Sequence, residues 1–416
     1  MKSILRNNLF SFILLGAVII GGITGVILGP RALVLKPLGD LFLNLLFMII
    51  VPLVFFSISS AIASMGGMKR LGKIMGSILL VFIITALVAS VFGLVVALLM
   101  NPTQGVNYAS LQSIIQQNQD SVDKVKQLGV LEQLVNTFTV SDFSKLLSKT
   151  AILPLIVLAV LTGTSTALIG EAGQPVATFL AAVTKVMMKI VQIIMYYAPI
   201  GLGAYFANVI GELGPQILQG YLRTFIIYLV LSVIYYFGFF TLYAYIAAGK
   251  KGIRLFWSHA LTPSITAIAT CSSAACIPIN LAATKSIGVP EDMVETIIPL
   301  GANMHKDGSV FGGILKITFL FGLLGVDMSS MSTLLGIVGV AFLVGAVMGA
   351  IPGGGMIGEM LIISVYGFPP EVLPIIAVIS TIIDAPATLL NSTGNVVCSM
   401  LIARLVEGKD WLAKAI

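Results

Sequence analysis

One segment of the chain combines charge with hydrophobicity, and it reads Gly301-Ala302-Asn303-Met304-His305-Lys306-Asp307-Gly308-Ser309. It places three consecutive ionisable residues inside an otherwise apolar run, residues 297–324, which is long enough to cross a bilayer. Ionisable groups near the middle of a bilayer are costly and are usually functional. The run therefore predicts a membrane-spanning segment whose central residues His305, Lys306 and Asp307 form part of a functional site.

The composition is that of a polytopic membrane protein. Of the 416 residues, 58% are hydrophobic and only 10% are charged, against about 25% charged in a typical soluble domain. The net charge of +6 comes from basic residues in short loops beside apolar segments, as insertion topology and anionic lipids favour. The sequence contains no basic stripe with interleaved aromatic residues, so nucleic-acid binding is not predicted. It also contains no catalytic motif or metal-ligand spacing, so we predict no enzyme activity, cofactor or bound metal. Three cysteines in apolar segments predict free thiols.

Six apolar segments precede this run and are predicted to span the membrane: residues 9–28, 41–63, 78–100, 151–168, 176–207 and 221–248. The fifth is longer than one crossing, so we expect it to be tilted or bent. The first lacks a small-residue cleavage site and is interpreted as a retained span. Basic residues precede the first segment and follow the second and sixth, which by the positive-inside rule places both termini in the cytoplasm. We expect the polar segment 101–149 to be a solvated external loop.

Two later apolar stretches, residues 255–286 and 331–366, are each interrupted by small or polar residues. Each is too short for two crossings of about 20 residues, so each predicts a re-entrant hairpin. A full span follows each hairpin, at residues 297–324 and 374–405. Because the two hairpins enter from opposite sides, the two copies are predicted to be inverted repeats, an arrangement that marks the binding site of a secondary transporter.

The last span carries a polar stripe, because spacings of three and four residues place side chains on one face of a helix: Ser380, Asp384, Thr388, Asn391 and Asn395. Small polar side chains of this kind also simply hold membrane helices together. Asp384 favours a functional stripe, since a lone carboxylate at this depth needs a cationic partner. In the preceding span, residues 297–324, Gly301, His305, Gly308 and Gly312 also share a helical face, so we expect a neighbour to approach its backbone closely there. A lone buried histidine is usually structural, but three adjacent ionisable residues weaken that interpretation. Lys316 and Glu359 are interpreted as structural or as lying near a membrane interface.

The hairpin tips offer backbone amides and hydroxyls that suit a ligand carboxylate at a helix N-terminus, although small residues also merely allow a turn. The predicted substrate-binding residues are therefore drawn from both tips and from the stripe: Ser272, Ser273, Pro352, Gly353, Gly354, Asp384, Thr388 and Asn391.

Motifs spread over nearly the whole chain resemble those of one known family: Tyr197-Ala198-Pro199-Ile200-Gly201, Ser272-Ser273-Ala274-Ala275, Ile277-Pro278, Ile298-Pro299-Leu300-Gly301-Ala302, Pro352-Gly353-Gly354-Gly355, and Asp384 to Asn391. The family is that of the dicarboxylate/amino acid:cation symporters, which includes the glutamate transporters, and the motifs are most similar to its bacterial serine/threonine symporter branch. The resemblance implies an all-α homotrimer in the inner cell membrane, with eight transmembrane helices and two re-entrant helical hairpins. It also implies that residues 1–250 form mainly the scaffold and trimer contacts, with some of their helices in the transport domain. Residues 251–416 would form the core of that transport domain, which carries substrate by an elevator movement.

The chain departs from the family pattern where the family binds sodium. A gap-free match puts His305 in place of a sodium-binding asparagine and Lys306 in place of a methionine, while Asp307 is retained. Asn395 replaces a sodium-ligating aspartate. One lost carboxylate and one added amine change the charge by two units, and unit charges about 4 Å apart repel by about 4 kcal/mol at an effective dielectric of about 20. We therefore expect a sodium-independent transporter in which Lys306, together with His305, replaces sodium. Transport would then be proton-coupled or would proceed by exchange.

The substrate side of the match is conserved apart from one position. The resemblance assigns Asp384 to the substrate amine and Asn391 to further substrate contact, whereas Ala387 replaces the arginine that selects acidic side chains. A small neutral amino acid such as serine, threonine or alanine is the predicted substrate. Three alternatives remain open. The first is a sodium-coupled serine/threonine symporter in which Lys306 points away and Asp307 still binds one ion. The second is an anionic substrate, if Lys306 forms a salt bridge with Asp384 or Asp307 or itself receives a carboxylate. The third is an anion channel or ligand sensor.

Overall fold

The computed structural model describes residues 2–63, 69–103, 135, 139–148, 151–213, 216–348, 354–368 and 372–414. Within these ranges every regular element is helical. Five helical stretches there are long and apolar enough to cross a membrane, and five further apolar helices are shorter. Most of the predicted external loop, residues 104–134 in particular, lies outside the described residues.

The first half of the described chain is helical: α1 (Lys2–Leu28), a 3-10 helix (Gly29–Leu35), α2 (Lys36–Ala63), α3 (Lys69–Met100), α4 (Phe143–Leu146), α5 (Ile152–Leu168), α6 (Gln174–Met195), α7 (Ala198–Leu213) and α8 (Gln216–Ile234). These helices overlap the predicted apolar segments, except for the 3-10 helix and for α4, which lies in the predicted external loop. The predicted segment 176–207 is divided into α6 and α7 by two residues, Tyr196 and Tyr197. Pro199 follows at the second position of α7, where a missing backbone N–H costs nothing.

The second half consists of eight helices: α9 (Phe240–Thr270), α10 (Ser273–Ile287), α11 (Glu291–Met304), α12 (Asp307–Leu323), α13 (Met331–Val347), α14 (Gly354–Tyr366), α15 (Leu373–Glu407) and α16 (Trp411–Lys414). A π-helix (Tyr235–Phe239) connects α8 to α9. The backbone of α9 is broken at Ala248 and at Gly249, which has a φ of 62°. This break separates the sixth predicted span from the first predicted hairpin.

The two predicted hairpins correspond to two helix pairs in contact. The last part of α9 packs on α10, and Cys271 connects them in the left-handed conformation, with a φ of 47°. Ser272 caps α10, because its hydroxyl accepts a hydrogen bond from the backbone N–H of Ala275 at 3.3 Å. The second pair is α13 and α14. Residues 349–353 between them, which include Pro352 and Gly353, lie outside the described part of the chain.

The segment 297–324 is not one helix, so the shared helical face inferred from the sequence is wrong. Helix α11 ends at Met304 and α12 begins at Asp307. His305 is extended (φ −102°, ψ 108°) and Lys306 has φ −140° and ψ 55°. Successive side chains of an extended backbone point in opposite directions, so His305 and Lys306 contact different elements. Asp307 begins α12, where the helix dipole favours a negative charge.

Helix α15 is the centre of the second half. It contacts α3, α8, α9, α10, α11, α12 and α14. The break between α11 and α12 packs against α15, where the glycines allow close approach. A Cβ on Gly308 would lie 2.5 Å from the carbonyl oxygen of Ala387, and a Cβ on Gly394 would lie 3.2 Å from the His305 ring. The fold therefore brings the broken segment and the polar stripe together.

Candidate functional site

His305 lies in a fully buried polar cluster between α3, α12 and α15. Its Nε2 atom is 2.9 Å from the hydroxyl of Thr85 and 3.2 Å from Oδ2 of Asp307. The thiol of Cys398 lies 3.5 Å from the same nitrogen, and the Phe82 ring packs on the imidazole at a centroid distance of 4.7 Å. The extended backbone at His305 directs the ring into this cluster, where it is the group nearest to the Asp307 carboxylate that is able to carry a positive charge.

The carboxylate of Asp307 is completely buried. Besides His305, its Oδ2 atom accepts a hydrogen bond of 2.8 Å from the hydroxyl of Tyr235, which is also 3.1 Å from the hydroxyl of Tyr243. Tyr235 is the first residue of the π-helix, an irregularity that is often found at functional sites. Oδ1 of Asp307 and Nδ1 of His305 have no hydrogen-bond partner among the described residues. The cluster therefore retains capacity for a further proton or polar ligand.

Lys306 is buried and points away from Asp307. Its Nζ atom donates a hydrogen bond of 2.9 Å to the hydroxyl of Ser273, at the start of α10. Among the described side chains no ion pair within 4 Å joins Lys306 to Asp307 or to Asp384, so neither of the salt bridges considered from the sequence is present. The lysine instead connects the broken segment to the tip of the first helix pair.

The polar stripe of α15 contacts the segment 297–324 on both sides of its break. Asn391 holds Ser309 through both of its amide atoms: Nδ2 donates to the Ser309 hydroxyl at 3.0 Å, and Oδ1 accepts from the Ser309 backbone N–H at 3.2 Å. The Nδ2 atom of Asn395 donates to the carbonyl oxygen of Asn391 at 2.9 Å. The Oδ1 atom of Asn395 lies against Gly301, where any Cβ would overlap it. This face is therefore packed tightly enough to require glycine.

Asp384 differs from the rest of the stripe because its side chain is exposed. The hydroxyl of the buried Thr388 lies 3.5 Å from Asp384 Oδ1, a weak contact. Ala387 is buried and its carbonyl lies against Gly308. The Asp384 carboxylate is thus accessible to a ligand, and the side chain of Ala387 carries no charge.

The structure brings some of the predicted site residues into direct contact: His305 with Asp307, Lys306 with Ser273, Asp384 with Thr388, and Asn391 with Asn395. Of the three predicted binding residues at the second tip, the structure describes Gly354, the first residue of α14, whereas Pro352 and Gly353 fall outside. Ser272 acts as a helix cap. In the described chain no group of three His, Cys, Asp or Glu residues is arranged to hold a metal ion.

Four residues of the buried cluster were not predicted: Thr85, Tyr235, Tyr243 and Cys398. Each lies in an apolar segment where its polarity alone is unremarkable. Tyr235 and Tyr243 are eight residues apart in one predicted span, and two phenols at that spacing are the one signal that the sequence offered. Their common partner Asp307 is identified only by packing.

A family model for the sodium:dicarboxylate symporter family matches residues 10–405. The chain belongs to this family. It is 30% identical over 415 residues to the proton/sodium-glutamate symport protein of Bacillus caldotenax, with 95% of this chain and 97% of the relative covered. It is 27% identical over 400 residues to the C4-dicarboxylate transport protein of Bacillus subtilis (strain 168), with coverages of 93% and 91%. It is also 27% identical over 380 residues to the proton/glutamate-aspartate symporter of Escherichia coli (strain K12), with coverages of 89% and 85%.

Membership of the sodium:dicarboxylate symporter family confirms the resemblance read from the motifs. Together with its long apolar helices, it makes the chain a multi-pass membrane transporter and not an enzyme. The transported solute is a small molecule.

Proposed function

We propose that this transporter moves a small neutral amino acid without binding sodium, because its own basic side chains His305 and Lys306 take over the role of bound cations. The observation that carries the proposal is the contact of 3.2 Å between His305 Nε2 and the buried Asp307 carboxylate. The resemblance assigns Asp307 to a cation site, and here a protein side chain already contacts it. A protonated His305 would make the pair neutral overall.

The contacts refine the division of roles expected from the sequence. Lys306 was given the main role in replacing sodium, but the side chain beside Asp307 is His305, which also contacts Thr85. Sodium at this position would have to displace the ring or lie next to it. If the ring is charged, the repulsion at about 3 Å is about 5 kcal/mol at an effective dielectric of about 20.

Asn395 supports the absence of a second sodium ion. A carboxylate at this position would supply a charged ligand, whereas the amide is neutral and uses its N–H to bond the carbonyl oxygen of Asn391. That carbonyl is therefore already engaged by a donor. Thus two residues that stand at positions which the resemblance assigns to sodium binding, Asp307 and Asn395, already bond to other protein groups.

The substrate assignment depends on Asp384 and Ala387. The exposed carboxylate of Asp384 is suited to the amine of an amino acid, and Ala387 offers no partner for a second substrate carboxylate. The α-carboxylate is assigned to the two tips, where Ser273 and the N-terminus of α10 provide donors. Both Oδ1 and Nδ2 of Asn391 are hydrogen-bonded to Ser309. A direct contact from Asn391 to substrate would therefore require at least one of these hydrogen bonds to break.

An anionic substrate is the second candidate, and one contact favours it. The ammonium of Lys306 lies 2.9 Å from the Ser273 hydroxyl at the first tip, where it would attract an additional carboxylate. The named relatives are glutamate and C4-dicarboxylate transporters, which is consistent with this reading. In that case Lys306 would take the role of the missing arginine.

The architectural part of the proposal follows the same family. It comprises eight transmembrane helices with two re-entrant hairpins, a homotrimer in the inner membrane with cytoplasmic termini, and elevator movement of residues 251–416 against a scaffold within residues 1–250. The helix pairs α9–α10 and α13–α14 and the central position of α15 support this arrangement.

A counterflow panel tests the substrate assignment. Purified protein is reconstituted into liposomes that are loaded with L-serine, L-threonine, L-alanine, L-glutamate or succinate. Exchange of the internal solute for the same labelled solute outside is then measured. We expect exchange of the three neutral amino acids, and loss of that exchange in Asp384→Ala. Exchange of glutamate or succinate alone would favour the anionic alternative, and neutral exchange that survives Asp384→Ala would overturn the assignment.

A further inference from the structure

A buried ion pair and a serine hydroxyl that bonds to it connect three helices, separately from the cluster around His305. The Nζ atom of Lys316 on α12 lies 3.2 Å from Oε1 of Glu359 on α14. Both residues are almost completely inaccessible, with exposures of 1% and 0%. The hydroxyl of Ser380 on α15 donates to the same Oε1 atom. We call Lys316, Glu359 and Ser380 the α14 anchor.

The α14 anchor lies next to the tip of the second helix pair. Glu359 is one helical turn after Gly355, at the start of α14. A Cβ on Gly355 would lie 3.3 Å from the Ser380 hydroxyl and 3.7 Å from Oε1 of Glu359. Ser380 in turn is one helical turn before Asp384 on the same face of α15. The anchor therefore connects the base of the second tip to the helix that carries the exposed carboxylate.

Apart from Glu359, the buried side chains of α14 are apolar. Gly358 packs against Val344 of α13 and against Met348, the residue that follows α13, and Ile357, Leu361 and Ile362 fill the core. Apolar surfaces of this kind are compatible with several registers, whereas a buried polar contact is satisfied in only one, and fixing register is the best-attested role of such groups. From the sequence, Lys316 and Glu359 received no specific role, and their contacts with each other and with Ser380 on three helices now indicate one.

We propose that the α14 anchor consists of positioning residues that fix the register of α14 along α12 and α15, and so hold the N-terminal end of α14 beside the part of α15 that carries Asp384. This rests on the proposed function in one respect, since it takes Gly354, the first residue of α14, to be part of the substrate site. The second carboxylate oxygen, Oε2, has no partner among the described residues. Removal of Lys316 alone would leave Glu359 as a buried charge with one hydroxyl, which is why the test removes the pair together.

The test compares reconstituted full-length variants. Lys316→Met/Glu359→Met replaces the pair with apolar side chains of similar size, a change that is often neutral or stabilising for folding. Lys316→Arg keeps the pair. Thr318→Val is the matched control, because this buried hydroxyl on the same helix contacts only backbone carbonyls of α12. Transport is measured with whichever of L-serine, L-threonine, L-alanine, L-glutamate and succinate the wild type takes up fastest.

We expect the double variant to raise KM about tenfold or more, since a misplaced binding group is costly, while kcat changes much less. Lys316→Arg and Thr318→Val should retain a KM near that of the wild type. An unchanged KM in the double variant, or a fall in kcat alone, overturns the proposal. If the double variant does not fold, Ser380→Ala should raise KM about fivefold by removing one hydrogen bond to a charged group, and an unchanged KM there overturns the proposal as well.

A second readout separates this inference from the proposed function. If the wild type takes up none of the five solutes, the substrate assignment fails, and amide hydrogen exchange then decides the role of the anchor. Peptides of α14 should exchange faster in the double variant than in the wild type and in Thr318→Val, with peptides of α13 unchanged. Equal exchange of α14 in all three proteins overturns the proposal whatever the substrate.

Discussion

The substitution His305→Asn tests whether a protein side chain has taken the place of sodium. It removes the ring whose Nε2 lies 3.2 Å from Asp307 and 2.9 Å from Thr85. It also restores the residue that the family pattern has at this position. We expect the variant to be destabilised without sodium and to become sodium-responsive.

The size of the effect follows from the surroundings of Asp307. The carboxylate is completely buried, and without His305 the one hydrogen bond that it keeps from the described residues is that of 2.8 Å from Tyr235. Removal of one partner of a buried charge pair costs about 3–5 kcal/mol. A sodium ion that binds the folded variant would restore about 2.7 kcal/mol at a concentration of 100 times its Kd. Most of the loss should therefore be recoverable by sodium.

The assay is thermal unfolding of purified protein at one pH, in sodium chloride and in choline chloride of equal ionic strength. Cys398→Ala is the matched control, because it removes a group 3.5 Å from the same ring nitrogen and leaves the contact between His305 and Asp307 in place. We expect Tm to depend on sodium in His305→Asn only. The reasoning is refuted if the variant responds to sodium no more than the wild type does.

Three further substitutions test other parts of the account. Lys306→Met should abolish counterflow, because it removes the ammonium that connects the broken segment to Ser273; exchange at the rate of the wild type would contradict that role. Gly308→Ala should lower the free energy of unfolding by about 1–3 kcal/mol through overpacking, since the added Cβ would lie 2.5 Å from the Ala387 carbonyl oxygen. Gly339→Ala is the control and should not lower it, because a Cβ at Gly339 would meet no described atom within 4 Å. Trp411→Phe removes a buried hydrogen bond of 3.0 Å to the carbonyl of Ala247 beside the break in α9, and denaturant unfolding should show a loss of about 1–3 kcal/mol at unchanged KM. A stability equal to that of the wild type would argue against this contact as a support for the break.

Helix positions were predictable because a chain in a bilayer must satisfy its backbone hydrogen bonds within each segment. Long apolar runs therefore became helices, and the Ser-rich interruption at Ser272 became a turn. The break at His305 was not predictable from local signals, since neither His305 nor Lys306 is a helix breaker like glycine or proline. On the non-helical backbone the side chains of His305 and Lys306 point in opposite directions, and they contact partners on two different helices.

The contact partners of the site residues also could not be predicted from the sequence. His305 contacts Thr85, 220 positions earlier, and Lys306 contacts Ser273, 33 positions earlier. These pairs are created by packing of α3, α10 and α12 around α15, and no spacing along the chain encodes them. The sequence marked the three adjacent ionisable residues as a candidate site, but it did not show that His305, and not Lys306, contacts Asp307.

The central claim is that His305 and Lys306 make bound sodium unnecessary. Its most direct test is the initial rate of uptake by the wild-type protein in liposomes, for the solute that the counterflow panel identifies. The rate is measured at fixed pH and fixed membrane potential, with and without an inward sodium gradient. We predict equal rates under the two conditions. A rate that rises steeply with the sodium gradient would contradict the account.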